Sequence, residues 1–167
     1  IGRGSCTVAG TVVGRLACAT LGDVAIGYTP KALGTTRIAI GKAAIATGTS
    51  ATALGNNSYA LGATSTALGA NSCADGATSI AVGSTAHASG ATSTAIGLLA
   101  HAFNSGSIAI GLQSEALGNC STAIGRSSYA NGSAGAVGIG VGSCANNNQA
   151  VAIGGASALG NSSVALG

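Results

Sequence analysis

A turn residue closes a short alternating run every seven positions along almost the whole chain. The stretch from Ser93 to Gly111 shows the pattern: a small residue, a variable one, Ala, a second variable one, then the closing residue. Ile96 and Ile110 precede Gly in alternate heptads, whereas Phe103 precedes Asn104 in the heptad between, so the true repeat is fourteen residues made of two unlike halves. A period of this kind is the signature of a stacked, quasi-one-dimensional architecture in which each coil contacts only its neighbours.

Half A closes at Gly27, Gly41, Gly55, Gly69, Gly83, Gly97, Gly111, Gly125, Gly140, Gly154 and Gly167, and half B at Gly34, Gly48, Gly62, Gly76, Gly90, Asn104, Gly118, Gly132, Asn147 and Gly160. Period-two alternation over about five residues reads as strand. A helix would lose about 1 kcal/mol at every seventh residue to glycine. The closing Gly predicts a turn with positive φ, and Asn104 and Asn147 read as the next best residue for that region. Each coil therefore holds two strands and two turns, and parallel stacking of ten to eleven coils at about 4.8 Å gives a ladder about 50 Å long. One extra residue before Gly140 and one fewer before Gly167 predict a bulge and a tightened turn. Residues 1–23 follow the pattern loosely and form irregular N-terminal coils; 24–167 form the regular roll.

Alternation also sorts the side chains. Ala stands two places before the closing residue at Ala25, Ala32, Ala39, Ala46, Ala53, Ala60, Ala67, Ala74, Ala81, Ala88, Ala95 and Ala102, with Gly138 the departure. Ser or Ala stands four places before it, as at Ser65, Ser79, Ala86, Ser93 and Ser107. These two slots line the inside of a flattened roll with closely spaced sheets. Composition agrees, since a chain with one Phe, three Tyr and no Trp or Met cannot fill a wide core. High Gly without a G-X-Y triplet excludes collagen, and only 5% charged residues with abundant small aliphatics argues against disorder.

The opposite face separates the halves. In half A the residue before the closing Gly is Ile26, Ile40, Leu54, Leu68, Val82, Ile96, Ile110, Ile124, Ile139, Ile153 or Leu166, a branched aliphatic every time. Left in water, each forfeits about 1.5–3 kcal/mol. An apolar stripe repeated on every copy of one chain is most simply buried about a rotation axis, so these residues are expected to form a homo-oligomer interface, and a trimer suits a narrow ladder. Half B carries a mixed outward row that includes Lys31, Tyr59, Cys73, His87, His101, Glu115, Tyr129 and Cys144.

Ser-Val-Ala-Leu-Gly at 163–167, Val-Ala-Ile-Gly at 151–154, Ser-Ile-Ala-Ile-Gly at 107–111 and Ser-Thr-Ala-Ile-Gly at 93–97 resemble the head repeats of YadA-like trimeric autotransporter adhesins. The resemblance implies an all-β fold, a left-handed parallel β-roll packed as a homotrimer. It also implies extracellular display on a bacterial cell surface of a face that binds a host-cell or extracellular-matrix receptor. Tyr59, His87, His101, Phe103 and Tyr129 are then the candidate receptor-facing residues. Exported members usually lack Cys, whereas this chain has five. Similar repeats occur in bacteriophage tail fibres, which fold in the cytosol, and a tail-fibre segment for host attachment is the alternative. An ice-binding solenoid, built on Thr64, Thr78 and Thr92, is a lesser one; turn hydrogen bonding suits those threonines better.

Other chemistry finds little support. His87, His101 and Glu115 should stack in one row above Cys73, but a flat ladder presents side chains in parallel while zinc needs converging ligands, so neither a metal nor any other cofactor is expected. Cys6 and Cys18 fall in neighbouring coils, within bridging distance; thiols reduced throughout are the expectation, with that bridge as the alternative. Three scattered carboxylates offer no catalytic grouping, and the N-x-[ST] matches at Asn56, Asn119, Asn131 and Asn161 reflect composition. Six of the nine charged residues (Arg3, Arg15, Asp23, Lys31, Arg37, Lys42) precede residue 43, and a net charge of +3 without a basic, aromatic-interleaved cluster excludes a nucleic-acid partner. The longest apolar runs are too short to insert in a membrane. A start at Ile1 without Met suggests a processed chain or a piece of a longer one.

Overall fold

The computed structural model describes residues 2–167. Twelve strands of two residues alternate in sequence with twelve of three, from Cys6–Thr7 and Thr11–Val13 to Ser157–Ala158 and Val164–Leu166. The three-residue strands of half A form one twelve-stranded parallel sheet and the two-residue strands of half B the other, each in strict sequence order. The chain is thus a parallel β-solenoid. It exceeds the ten to eleven coils counted from the firm repeat because Cys6–Thr7, Thr11–Val13 and Cys18–Ala19 already pair in the same two sheets.

Register follows the repeat. Ala53 pairs with Ala67, Ala67 with Ala81, Ala81 with Ala95 and Ala95 with Ala109 on the half-A sheet. These alanines and their half-B counterparts, from Ala17 to Ala158, form a core that is 0–2% exposed throughout. The sheets approach so closely that a Cβ on Gly138 would fall 2.7 Å from the carbonyl oxygen of Tyr129 on the opposite sheet. No larger side chain has room there, which accounts for a core without aromatics.

The turns depart from expectation. Half A behaves as predicted: Gly41, Gly55, Gly69, Gly83, Gly97 and Gly111 have φ between 133° and 148°, a region open only to glycine. In half B the closing residues Gly48, Gly62, Gly76, Gly90, Asn104, Gly118, Gly132 and Asn147 do not have positive φ. There glycine answers a steric demand, since a Cβ on Gly76 would lie 1.9 Å from the carbonyl oxygen of Gly90. Asn104 and Asn147 therefore do not stand in for glycine through backbone conformation; their side-chain amides instead donate to the carbonyls of Leu117 and Leu159 one coil on.

The left-handed position lies two residues later. Thr64, Asn71, Thr78, Thr85, Thr92 and Leu99 have φ from 52° to 57°, and the left-handed conformation recurs every seven residues from Gly22 to Ser127. For a β-branched residue this costs on the order of 1–3 kcal/mol. Two bonds offset it. The amide of Thr78 donates to Ala63 O of the previous coil at 2.7 Å, and its hydroxyl donates to Ala77 O at 2.7 Å. Thr64 and Thr92 spend their hydroxyls in the same way. The turn closes on a buried serine, as in Ser79, whose amide and hydroxyl both donate to Gly76 O.

The extra residue before Gly140 sits in the turn 131–136 and bulges neither neighbouring strand: Thr122 pairs with Val137 and Tyr129 with Cys144 without interruption. The missing residue shortens the turn 154–156, where Gly154 and Gly155 have φ of 80° and 87°. Cys6 and Cys18, directly paired on adjacent strands with Cα atoms 4.7 Å apart, are joined in a disulfide. This overturns the expectation of thiols reduced throughout. In-register parallel pairing at a chain end places the two sulfurs side by side, within the separation a bridge needs. Cys73, Cys120 and Cys144 are free.

Candidate functional site: the two outward faces

The half-A face carries the aliphatic row. In-register pairing stacks Leu54, Leu68, Val82, Ile96, Ile110, Ile124, Ile139, Ile153 and Leu166 into one ladder. Ile26 and Ile40 continue it toward the N-terminus. None is buried by its own chain: Ile96 is 38% exposed, Leu68 40% and Leu166 74%, and Ile110 and Ile124 are half-buried. Beside this row runs a second of Thr, Val and Ile, including Ile80, Thr94 and Ile108. The sheet thus presents a flat, uncharged, largely aliphatic surface along its full length.

The half-B face is chemically mixed. Tyr59, Cys73, His87, His101, Glu115, Tyr129 and Cys144 succeed one another in register, one per coil. Of the candidate receptor-facing residues, the fold brings three together: His87, His101 and Phe103 pack edge to face, with ring centroids 5.5–6.2 Å apart. Tyr59 and Tyr129 lie two coils to either side of that group, half-buried in the same row.

Asp75 is not among the candidate site residues singled out from the sequence, although it shares the outward face of Cys73 by the i, i+2 rule of a strand. Its carboxylate accepts from Cys73 Sγ at 3.0 Å and lies 2.9 Å from His87 Nε2, which is also 3.1 Å from Ser89 Oγ. The signal was present, because Asp75 precedes Ser89 by one full coil and His87 by two residues fewer, which makes it the diagonal neighbour of the histidine. Burial pushes the Cys73 thiol up to about 12, reinforced by the hydrogen bond to Asp75 and by its negative charge. For Asp75 itself burial acts upward, but the hydrogen bonds from His87 and Cys73 outweigh it and hold the carboxyl below its ordinary value. Glu115 and His101 take no part in this convergence, so the expected His87–His101–Glu115 row is not where the ligand-type groups meet.

The YadA head domain repeat, in its two-copy form, matches residues 32–58, 46–72, 74–100, 88–114 and 104–128, together more than half of the chain. The crystal structure of the collagen-binding domain of the Yersinia adhesin YadA is similar at 27% sequence identity, covering 90% of this chain and 68% of that one, with a TM-score of 0.49. No curated protein matches. With the repeat register, the alanine core and the aliphatic half-A row all in place across the matched segments, the chain belongs to the YadA head repeat family, whose members are structural and adhesive rather than enzymatic.

Proposed function

We propose that three copies of this chain pack through their half-A faces into the head of a surface adhesin, and that the outward half-B faces bind a host-cell or extracellular-matrix receptor. The observation that carries this reading is the unbroken aliphatic ladder from Ile26 to Leu166, every member of which is at least partly exposed on its own chain. Branched side chains in register on a flat sheet interdigitate well with copies of themselves. The family supplies a second support, since its heads are displayed on bacterial surfaces. Specificity then falls to the half-B row, where His87, His101 and Phe103 make a compact aromatic group, flanked by Tyr59 and Tyr129.

Solution mass tests the assembly: the folded species should weigh three times the 15.4 kDa chain, and a single-chain mass would end the proposal. Adhesion of the purified head to mammalian cells and to immobilised matrix proteins tests the second half. The substitutions His87→Ala, His101→Ala and Phe103→Ser together should abolish it at unchanged mass.

The free thiols of Cys73, Cys120 and Cys144 favour a second reading, a tail-fibre segment assembled in a reducing cytosol. The Cys6–Cys18 bridge pulls the other way. Binding to intact bacterial cells, with none to mammalian cells or matrix, would select the virion fibre.

A further inference from the structure

We propose that Cys73, Asp75 and His87 form a binding site for a zinc-class divalent cation on the half-B face, clipping two successive coils together. The site rests on backbone placement that the solenoid makes rigid. Cys73 and His87 are register partners on adjacent strands, and Asp75 returns to the same outward face two residues after Cys73. One ligand atom from each residue lies within 4.8 Å of the other two. The Sγ–Oδ1 and Nε2–Oδ2 separations are 3.0 and 2.9 Å.

Zinc bonds of about 2.0–2.3 Å hold tetrahedral ligand atoms about 3.5 Å apart. Two of the three separations are about 0.5 Å shorter than that, so the groups must part slightly to admit the ion and need not be drawn together. The donor set names the ion class. A thiolate with an imidazole selects zinc and its borderline-soft neighbours, whereas calcium and magnesium want oxygen ligands throughout. The carboxylate completes three protein ligands and leaves a fourth position for water, the usual pattern of an open zinc site.

Without an ion, the Cys73 thiol donates its hydrogen bond to Asp75 Oδ1. A cation entering between them takes both the sulfur and the carboxylate oxygen, and the proton leaves to solvent, so uptake releases acid. His87 is steadied in its outward pose by the edges of His101 and Phe103, a support for a ligand that neither ring supplies itself. The site lies on the face opposite the aliphatic ladder, so occupancy and assembly through half A are independent.

Cobalt(II), added to the intact chain with the Cys6–Cys18 disulfide kept and Cys73, Cys120 and Cys144 as thiols, is the direct probe, with zinc as competitor. The expected result is one cobalt per chain, a thiolate-to-cobalt charge-transfer band, and displacement by zinc. Cys73→Ser should abolish the band, and Asp75→Asn and His87→Ala should each weaken binding at least about tenfold. Cys144→Ser should leave stoichiometry and band unchanged, and every variant should keep the solution mass of the parent, which separates ligand loss from misfolding. Zinc should raise the thermal midpoint of the parent and not of Cys73→Ser. Absence of the band, or a band that survives Cys73→Ser, overturns the proposal. Both results would leave the adhesin reading intact, since that reading stands on the mass and adhesion measurements.

Discussion

A Cβ placed on Gly83 would stand 2.3 Å from the carbonyl oxygen of Gly97, one coil along the solenoid. Gly83 also has φ of 134°, so both backbone conformation and space exclude a side chain. Gly142 makes the comparison, with φ of 67° and no atom within 4 Å of its added Cβ. Gly83→Ala should cost about 3 kcal/mol or more, because two coils must separate to admit the methyl. Gly142→Ala should cost about 1–2 kcal/mol, the ordinary penalty of the left-handed region, less what the stiffer unfolded chain returns. Urea midpoints at unchanged slope measure both; equal losses would show that coil spacing is not what selects glycine in half A.

The ladder of branched aliphatics makes a second prediction. Ile96 and Ile110 are in-register partners near its middle. Ile110→Asp places one carboxylate per copy on the surface proposed to meet about the axis. The desolvation cost, together with about 1.5–3 kcal/mol of lost burial per copy, should reduce the solution mass to that of a single chain. Leu61→Asp, at a half-B residue 43% exposed, should leave the mass unchanged. Light scattering on the two variants decides, and an unaltered mass for Ile110→Asp would move the interface elsewhere.

How far the sequence could be read differs between strands and turns. The alternation that put Ala81 inside and Val82 outside needed only the pleat, and Ala81 is fully buried where that rule places it. Turn conformation was less accessible. Gly76 and Gly83 look alike in sequence, yet only Gly83 has positive φ; Gly76 is glycine because Gly90 O crowds it. The left-handed corner at Thr78 left no compositional mark, because the hydrogen bonds along the solenoid let Thr, Ser, Asn, Ala and Leu all occupy it. On the half-B face the His87 and His101 neighbourhood followed from the period. Asp75 did not, because counting in steps of fourteen finds partners above and below but misses the diagonal.

The buried serines divide into a rule and an exception. Ser79 Oγ donates to Gly76 O at 2.7 Å in a fully buried turn. Ser93, at the equivalent place one coil on, has a buried Oγ without a hydrogen-bond partner. Replacing Ser79 by Ala removes a bond and should destabilise by about 1 kcal/mol. Ser93→Ala removes only an unsatisfied hydroxyl and should be neutral or stabilising by up to about 1 kcal/mol. The pair isolates the hydrogen bond from the change in volume, because both exchanges delete the same oxygen from the same slot. Denaturation midpoints falling together would show that the two hydroxyls are bonded alike.

Asp23 ties stability to acid. Its carboxylate is almost fully buried and accepts from Thr20 Oγ1 at 2.6 Å, from the Gly34 amide at 2.9 Å and from the Arg37 amide at 2.8 Å. Burial alone would raise its pKa, but the hydrogen bonds from the Thr20 hydroxyl and the two amides outweigh it and hold the carboxyl below its ordinary value. A carboxyl whose folded pKa is depressed contributes stability that is fully present above its unfolded value and lost as pH falls through the folded one. Asp23→Asn can turn its single carbonyl oxygen toward the Arg37 amide or toward Gly34 and Thr20, but not toward both, and should cost about 2 kcal/mol at neutral pH. The gap between parent and variant should persist down to about pH 4 and close below it, where the parent carboxyl takes up its proton and loses the same acceptor. Urea midpoints of both proteins measured across that range give the test. A gap that stays constant below the folded pKa would mean that the charge of Asp23 contributes nothing, and that its hydrogen bonds are worth no more than those of a neutral acceptor.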